Sequence, residues 1–138
     1  MTKSPGRRHR GRELALRVLF ELDSLPKDMD QVLRYQGEEL GATDDVMAFA
    51  TALVTSTTTN QAQIDEALSR ASDNWDLPDL GKVERAILRL STAEMLFLHD
   101  TPNAVVIDEA VELAKAYAGD EASSYINGVL GKIAREPV

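Results

Sequence analysis

The sequence predicts an all-α fold, a single domain of six or seven helices arranged as two small helical halves. Apolar residues recur at three- and four-residue spacing along nearly the whole chain, which is the period of one face of an α-helix. No stretch keeps the strict alternation of apolar and polar residues that a half-buried strand would show. With 138 residues, 43% of them hydrophobic, the chain has the size and apolar content of one folded domain.

The first half is predicted to hold three or four helices. The first covers residues 9–23 and ends before Pro26, and a second ends at Gly41. Thr43 is a favourable N-cap for the next segment, residues 44–72, which is one bent helix or two joined helices. The alternatives stay open because a run of β-branched threonines near its middle is weak as helix.

Residues 73–81 (DNWDLPDLG) are predicted to connect the halves, roughly 9–72 and 82–136, because Pro, Gly and several helix-capping residue types cluster there. The second half begins with a strongly apolar helix that stops at the sequence HDTPN. Two more helices follow and are separated at Gly119. Asn-Gly at 127–128 would usually indicate a hairpin, but the flanking residues keep helical spacing, so helix is predicted there.

The charge of the chain is divided between a basic N-terminus and an acidic remainder. Residues 1–12 hold five basic residues and no acid, whereas the whole chain carries −8, so the other residues carry −13. The basic residues are Lys3, Arg7, Arg8, Arg10 and Arg12. We predict a flexible basic arm over residues 1–8 and the folded domain over residues 9–138. Such an arm suggests nucleic acid as its ligand and a basic partner for the acidic body, and the alternative is a solubilising tail.

Several classes of protein are excluded or disfavoured. The chain has no Cys, which excludes a disulfide framework and thiolate chemistry. No apolar run approaches the ~18 residues of a membrane span, and charges interrupt the apolar stretch after the basic segment, unlike a secretion signal. His9 and His99 lack metal-ligand spacing, and Asp108, Glu109 and Glu112 fit a solvated helix face better than a metal site. The sequence therefore predicts a cytoplasmic protein without metal or cofactor, and not an enzyme.

The chemistry of the arginine side chain indicates what kind of ligand the basic segment binds. In a helix that begins near Arg8, the side chains of Arg8 and Arg12 share a face, where like charges repel without a partner. Arginine forks bind phosphate oxygens bidentately and stack on bases, so these arginines could neutralise several phosphates of a single strand of nucleic acid. Tyr125 is a less certain core residue, because a phenol hydroxyl favours a half-exposed position. Arg85 and Arg89 also share a face, which is interpreted as an ordinary solvated one.

Three stretches, in a fixed order, resemble the NusB family of bacterial antitermination factors. RRHRGRELALRVLF resembles its arginine-rich motif, KVERAILRLSTAEMLF its central helix, and TPNAVVIDEAVELAKAYAGDEASSYINGVLGKI its C-terminal block. Each motif alone is modest, but together they extend over nearly the whole chain. The resemblance implies an all-helical protein of two small halves.

The resemblance also implies partners and site residues. NusB pairs with NusE, a protein also found in the small ribosomal subunit, and the pair binds the boxA element of nascent RNA. Their complex lets RNA polymerase read through terminators, notably in ribosomal RNA operons. By resemblance, the RNA-binding positions are Arg7, Arg8, Arg10, Arg12 and Tyr125. Phe20 and Glu84 fall where family members meet NusE.

Four positions depart from the family pattern. The family often has Lys before the C-terminal aromatic, Tyr-Lys after Pro, and Asn before Glu-Ala; this chain has Ser124, Asn103, Ala104 and Asp108 there. The missing positive charges predict weaker RNA affinity or greater reliance on the arm. The same domain occurs at the N-terminus of some RNA cytosine methyltransferases, but this chain has no Cys nucleophile. A protein-interaction module without RNA binding stays open, as does a homodimer.

Overall fold

The computed structural model describes residues 6–73, 75 and 80–136, and every regular element within them is helical. The helices are α1 (Arg7–Ser24), α2 (Met29–Glu39), α3 (Asp44–Thr59), α4 (Gln61–Ala71), α5 (Lys82–Ala93), α6 (Asn103–Tyr117) and α7 (Asp120–Arg135). The all-α prediction of six or seven helices is confirmed. None of the described helices is long and apolar enough to cross a membrane.

The first helix begins at Arg7, two residues before its predicted start at residue 9. Gly6 precedes it in extended conformation, and its carbonyl accepts a helical hydrogen bond from the N–H of Arg10 at 3.1 Å. Arg7 and Arg8 therefore belong to α1, which differs from the flexible arm predicted over residues 1–8. Contacts of both side chains with α3 order this first turn. Residues 1–5 of the predicted arm lie outside the described residues.

Residues 44–72 form two helices, the second of the two predicted alternatives. They meet at Asn60, which leaves the helical region of backbone space (φ −105°, ψ 20°). Thr43 caps α3 as predicted, since its Oγ1 accepts a hydrogen bond from the N–H of Val46 at 3.4 Å. The Asn-Gly pair at 127–128 lies within α7, also as predicted.

Helix α5 continues beyond Ala93 as one π-helical turn, Glu94–Leu98, which no sequence pattern indicated. The turn ends at His99, whose φ of 57° lies in the left-handed region and whose N–H bonds back to the carbonyl of Glu94 at 3.3 Å. π-helical turns are rare in proteins, but those that occur are often found at functional sites. Here the first residue of the turn is a carboxylate, Glu94, that is only 1% exposed.

Helix α5 is also the centre of the fold, because it packs against α1, α3, α4, α6 and α7. Between Ala86 and Ala93 only Arg89 is not buried. The buried side chains of all seven helices join one contiguous hydrophobic core around this helix. The division of the chain into two halves stays a prediction.

Trp75, in the connection between α4 and α5, is 2% exposed and anchors a cluster of charged side chains. The guanidinium carbons of Arg85 and Arg89 lie 5.0 and 5.3 Å from the centroid of its ring. Arg89 also donates two hydrogen bonds to the carboxylate of Asp65 in α4, at 2.9 and 3.1 Å. The solvated face predicted for Arg85 and Arg89 is therefore wrong, because both side chains lie half-buried against Trp75. We call Trp75, Arg85, Arg89 and Asp65 the Trp75 cluster.

Candidate nucleic-acid interface and partner groove

The exposed arginines at the start of α1 form a basic surface that we call the arginine end: Arg7, Arg8 and Arg10. Arg7 pairs with Asp45 of α3 at 2.7 Å, with the two side chains 77% and 65% exposed. An exposed pair of this kind is worth only ~0.2–1 kcal/mol, so a phosphate can displace the carboxylate. Arg8 and Arg10 form no hydrogen bond or ion pair with any described residue. The arginine end therefore offers positive charge to an anionic ligand.

Arg8 contacts an aromatic ring instead of a carboxylate. Its guanidinium carbon lies 4.8 Å from the centroid of Phe49 in α3, and that of Arg12, one turn further along α1, lies 5.4 Å from the same centroid. The ring approaches the backbone of α1 at Gly11, where an added Cβ would come within 2.5 Å of the Phe49 Cδ2 atom. Gly11 is unfavourable in a helix by about 1 kcal/mol relative to Ala, but it makes room for the ring.

Arg12, predicted to bind RNA beside Arg8, lies in the core with 3% exposure. Its Nε and Nη2 donate to the two carboxylate oxygens of Glu94 at 2.8 and 2.6 Å, a two-point ion pair. A second carboxylate, that of Glu109 in α6, lies 3.7 Å from its Nη1. The structure therefore corrects the direct phosphate contact expected of Arg12, because this guanidinium is buried and paired. It joins the start of α1 to the π-helical turn after α5.

His9 extends this network toward the surface. Its Nδ1 lies 2.8 Å from Oε2 of Glu109, so Glu109 lies between His9 and Arg12 and joins α6 to α1. Of the three acids of α6 interpreted as a solvated face, Asp108 and Glu112 are exposed, but Glu109 is half-buried. Within the described part of the chain no group of three His, Asp or Glu side chains could hold a metal ion.

Tyr125, the aromatic that the resemblance places near RNA, is half-buried on α7. Its hydroxyl lies 2.6 Å from Oγ of Ser72, just after α4, and its ring packs against the core. Among the described contacts, none joins Tyr125 to the arginine end. The structure therefore brings Arg7, Arg8 and Arg10 together but places Tyr125 on the side formed by α4 and α7.

The second candidate surface is an open groove of about 540 Å³ between α1, α2, α5 and α6, which we call the Phe20 groove. Its apolar lining comes from Leu16, Phe20, Val83 and Tyr117. Two large hydrophobic side chains meet here at the surface, because Phe20 is 39% exposed and Tyr117 is 36% exposed. The groove is therefore a candidate contact surface for another protein.

Charged side chains surround this apolar lining. Hydrogen bonds from Lys27 and Gln36 hold the pKa of Glu21 below its ordinary value, so its carboxylate stays ionised at neutral pH. The hydroxyl of Tyr117 donates a hydrogen bond to Glu13 at 2.5 Å. The pKa of Tyr117 is raised, mainly by burial of the hydroxyl and also by this hydrogen bond. The Phe20 groove therefore has an apolar wall and a rim with charges of both signs, Glu21 and Arg17.

Glu84, which the resemblance places at the NusE contact, lies at the start of α5 beside Val83 of the groove. Its Oε2 accepts a hydrogen bond from the N–H of Gly81 at 3.2 Å, which satisfies an otherwise unpaired donor at the end of the helix. The structure thus brings Phe20 and the start of α5 to one surface and also gives Glu84 a local capping role.

Three residues that contact the arginines of α1 were not identified as site residues from the sequence: Asp45, Phe49 and Glu94. Glu94 did carry a signal, because it follows Leu90 by four residues and so lies on the inward face of α5. An acid on that face requires a buried partner. No local signal identifies Arg12 as that partner, since 82 positions separate the two residues.

Comparison with known proteins identifies the family. The NusB family model matches residues 9–135. The transcription antitermination protein NusB of Heliobacterium modesticaldum is 40% identical over 129 residues, which cover 94% of this chain and 63% of that protein. The NusB of Pelotomaculum thermopropionicum is 37% identical over 130 residues, which cover 94% of this chain and 90% of that protein. The chain belongs to the NusB family.

The NusB fold is confirmed by a solved structure as well. A chain in a crystal structure of the antitermination factors NusB and NusE in complex with dsRNA superposes with a TM-score of 0.84 at 30% identity. The match covers 92% of this chain and 95% of that chain. In this NusB-family chain the four departures from the family pattern are all exposed: Asn103, Ala104, Asp108 and Ser124. None of the four positions belongs to the hydrophobic core.

Proposed function

We propose that this chain is a transcription antitermination factor, an RNA-binding adaptor of the cytoplasm and not an enzyme. In this proposal it pairs with NusE, binds single-stranded boxA RNA and promotes read-through by RNA polymerase, notably in ribosomal RNA operons. The observation that carries the proposal is the arginine end, exposed positive charge on a chain that carries −13 outside residues 1–12. The relatives named antitermination proteins, and the NusB–NusE–dsRNA structure, support it.

Phosphate is the ligand that the arginine end suits. A guanidinium presents its N–H donors in a fork that matches phosphate oxygens, and Arg8 and Arg10 have no carboxylate among the described residues to neutralise them. If Arg7, Arg8 and Arg10 each neutralise one phosphate of a single strand, log K falls with log salt at a slope of roughly −2. Repulsion from the acidic body confines the RNA to this end of the molecule.

NusE is assigned to the Phe20 groove. An apolar wall that includes Phe20, on a chain that carries −13 outside residues 1–12, suits a partner with an apolar anchor and a basic surface. Glu84 lies one residue from Val83 of that wall. The groove and the arginine end occupy different parts of α1, so both ligands can bind at once.

Binding of RNA and NusE should be cooperative. A basic partner on the acidic body lowers its repulsion of RNA and adds phosphate contacts of its own. A coupling of this kind is typically worth about 1–3 kcal/mol and is reciprocal, so RNA must tighten NusE binding by the same factor. The test is a thermodynamic square with boxA and scrambled RNA, each ligand titrated with the other absent or saturating at one salt concentration. Equal RNA affinities with and without NusE would contradict the adaptor mechanism.

The arginine end is tested by Arg10→Ala, with Arg34→Ala as the matched control. Arg34 is another exposed arginine, on α2 and outside the arginine end. We expect Arg10→Ala to reduce RNA affinity and to lower the magnitude of the salt slope by about 0.7. Arg34→Ala should leave the slope unchanged, because Arg34 has no phosphate contact in the proposed RNA site. Equal slopes for the two variants would remove Arg10 from the RNA site.

The groove is tested by Glu84→Gln. Glutamine removes the charge but keeps an oxygen that can accept the hydrogen bond of Gly81, so α5 keeps its cap. We expect weaker NusE binding by calorimetry, by about 2–5 kcal/mol if the carboxylate forms a desolvated pair and by less if it lies on the rim. Normal NusE affinity with unchanged helix content would show that Glu84 only caps the helix.

A second candidate function is a protein-interaction module that binds no RNA. Two observations favour it: Arg12 is buried against Glu94, and the Tyr125 hydroxyl is bonded to Ser72, which reduces the groups available to RNA. In that case the Phe20 groove binds NusE or a second copy of the chain. Sedimentation of the chain alone distinguishes a homodimer from a monomer, and absence of boxA binding in the presence of NusE would favour this module.

A further inference from the structure

We infer that Phe49 is a positioning residue for RNA binding, because its ring holds the Arg8 guanidinium in place at the arginine end. The inference rests on the proposed function and adds to it a residue that lies on another helix, α3, and is about 40 positions away along the chain. No motif of the sequence connects the two residues. Their relation follows from the 4.8 Å distance between the Arg8 guanidinium carbon and the Phe49 ring centroid.

A ring orders an arginine without using its hydrogen-bond donors or its charge. A guanidinium attracted to the face of a ring keeps its planar N–H donors free for a phosphate. The neighbouring Arg7 shows the contrast, because its Nη1 donates to the Asp45 carboxylate at 2.7 Å, which must leave before a phosphate binds there. Arg8 has no such competitor among the described residues and is exposed. Arg8 is therefore the residue of the arginine end whose guanidinium is held in place and yet has no carboxylate paired with it among the described residues.

The ring itself is held firmly. Phe49 is half-buried and packs against the hydrophobic core, and it fits closely against α1 at Gly11, which has no Cβ to keep it away. The second guanidinium over the ring, that of Arg12, is fixed by its two hydrogen bonds to Glu94. The buried Arg12 thus fixes one side of the contact, and the ring extends that order to Arg8 at the surface.

Ordering before binding has a measurable effect on affinity. Immobilising one rotamer-rich side chain on binding lowers affinity roughly 2- to 10-fold, and a guanidinium already held by a ring avoids part of that loss. We therefore expect Phe49→Leu to weaken RNA binding roughly 2- to 10-fold at fixed salt. Phe49→Tyr, which keeps the ring, should bind RNA as the original chain does.

The experiment is a double-mutant cycle of Arg8→Ala and Phe49→Leu, measured with boxA RNA in the presence of NusE. Phe97→Leu is the matched control, because Phe97 is also half-buried against the core but lies outside the arginine contacts. Thermal unfolding of each variant sets the temperature at which all of them are folded. We expect Phe49→Leu to weaken RNA binding in the original chain and to cause no further loss once Arg8→Ala is present. Phe97→Leu should not change RNA affinity.

The outcomes separate the inference from the proposed function. If Arg8→Ala weakens binding but Phe49→Leu does not, the positioning role is overturned and the proposed RNA site stands. If Phe49→Leu weakens binding equally with and without Arg8, or Phe97→Leu does the same, the effect is general loss of structure and the inference is again overturned. If Arg8→Ala leaves RNA binding unchanged, both the inference and the assignment of RNA to Arg8 are overturned.

Discussion

Two aromatic rings of this molecule each contact two arginines that lie one helical turn apart, and the two clusters differ in the exposure of the second arginine. In the Phe49 cluster (Phe49, Arg8, Arg12 and Glu94), Arg12 is paired with a buried carboxylate and Arg8 is exposed. In the Trp75 cluster, Arg89 is paired with Asp65 and Arg85 is half-buried. The ring and the paired arginine are common to both clusters, and the exposure of the second arginine distinguishes them.

The comparison shows how one arrangement serves two purposes. The Trp75 cluster joins α4, α5 and the connection between them, so its cations stabilise the fold. The Phe49 cluster joins α1 to α3 and to the turn after α5, but it leaves one cation at the surface. In the proposed function, an arginine pair on one helix face serves as a ligand site because its outer member, Arg8, has no carboxylate partner among the described residues.

Breaking the buried ion pair should have the largest effect. Arg12→Ala leaves the carboxylate of Glu94, 1% exposed, without its cation, which typically destabilises a protein by about 3–5 kcal/mol. Urea unfolding monitored by circular dichroism measures this loss. The paired replacement of Arg12 by Met and Glu94 by Gln should lose less, since the one carboxylate left without Arg12, that of Glu109, is 26% exposed and can be hydrated. A loss for Arg12→Ala within error of zero would show that the pair is not buried in solution.

The corresponding change in the Trp75 cluster should have a smaller effect. In Arg89→Ala the abandoned carboxylate of Asp65 is 29% exposed and can be hydrated, so we expect a loss of about 1–3 kcal/mol in the free energy of unfolding. RNA affinity of the folded variant should not change, because this cluster has no part in the RNA site. Weaker RNA binding by folded Arg89→Ala would abolish the distinction between the clusters.

A conservative change at the exposed arginine should affect RNA affinity alone. Arg8→Lys keeps the charge, so the salt slope should stay the same, but it loses the planar fork over the Phe49 ring. We expect RNA affinity to fall roughly 2- to 5-fold, the value of a cation–π contact at an exposed site. Filter binding at several salt concentrations gives affinity and slope together. A changed slope with unchanged affinity would contradict the assigned geometry.

The smallest expected effect is a gain in RNA affinity. Asp45→Asn removes the carboxylate that competes with phosphate for Arg7, so RNA affinity should rise roughly 2-fold at low salt. The gain should disappear at high salt, where exposed charges are screened. Asp44→Asn is the control, because Asp44 is the preceding exposed acid of α3 and has no ion pair with a described residue. Equal gains for both variants would indicate a general charge effect.

The fold could be predicted from local pattern, but the roles of the arginines could not. Spacing such as Leu14 to Val18 fixes which face of α1 is buried, and all helices follow from similar stripes. The same spacing makes the pairs Arg8/Arg12 and Arg85/Arg89 look alike. The two pairs differ in the side chains that they contact, and those side chains belong to residues far away in the sequence.

Those partners have no local signature of pairing. Phe49 is one of several apolar residues of α3, and Glu94 is one of 23 acids. Only the packing of α3 against α1, and the hydrogen bonds of Arg12 to the turn after α5, bring them to the arginines. The sequence interpretation therefore found the basic segment and its ligand class but assigned Arg12 to the surface, since the burial of a charge depends on a partner that periodicity does not reveal.

The ion pair of Arg12 with Glu94 also determines when the first turns of α1 can reach their final packing during synthesis. Arg12 is made early, but its carboxylate partner follows 82 positions later, and Glu109 later still. A long-range contact of this kind can form only after the intervening chain has emerged and its loop has closed. The segment around Arg12 therefore reaches its final form only after Glu94 and Glu109 have been made. A nascent chain that stops before Glu94 carries its cluster of arginines with Arg12 unpaired.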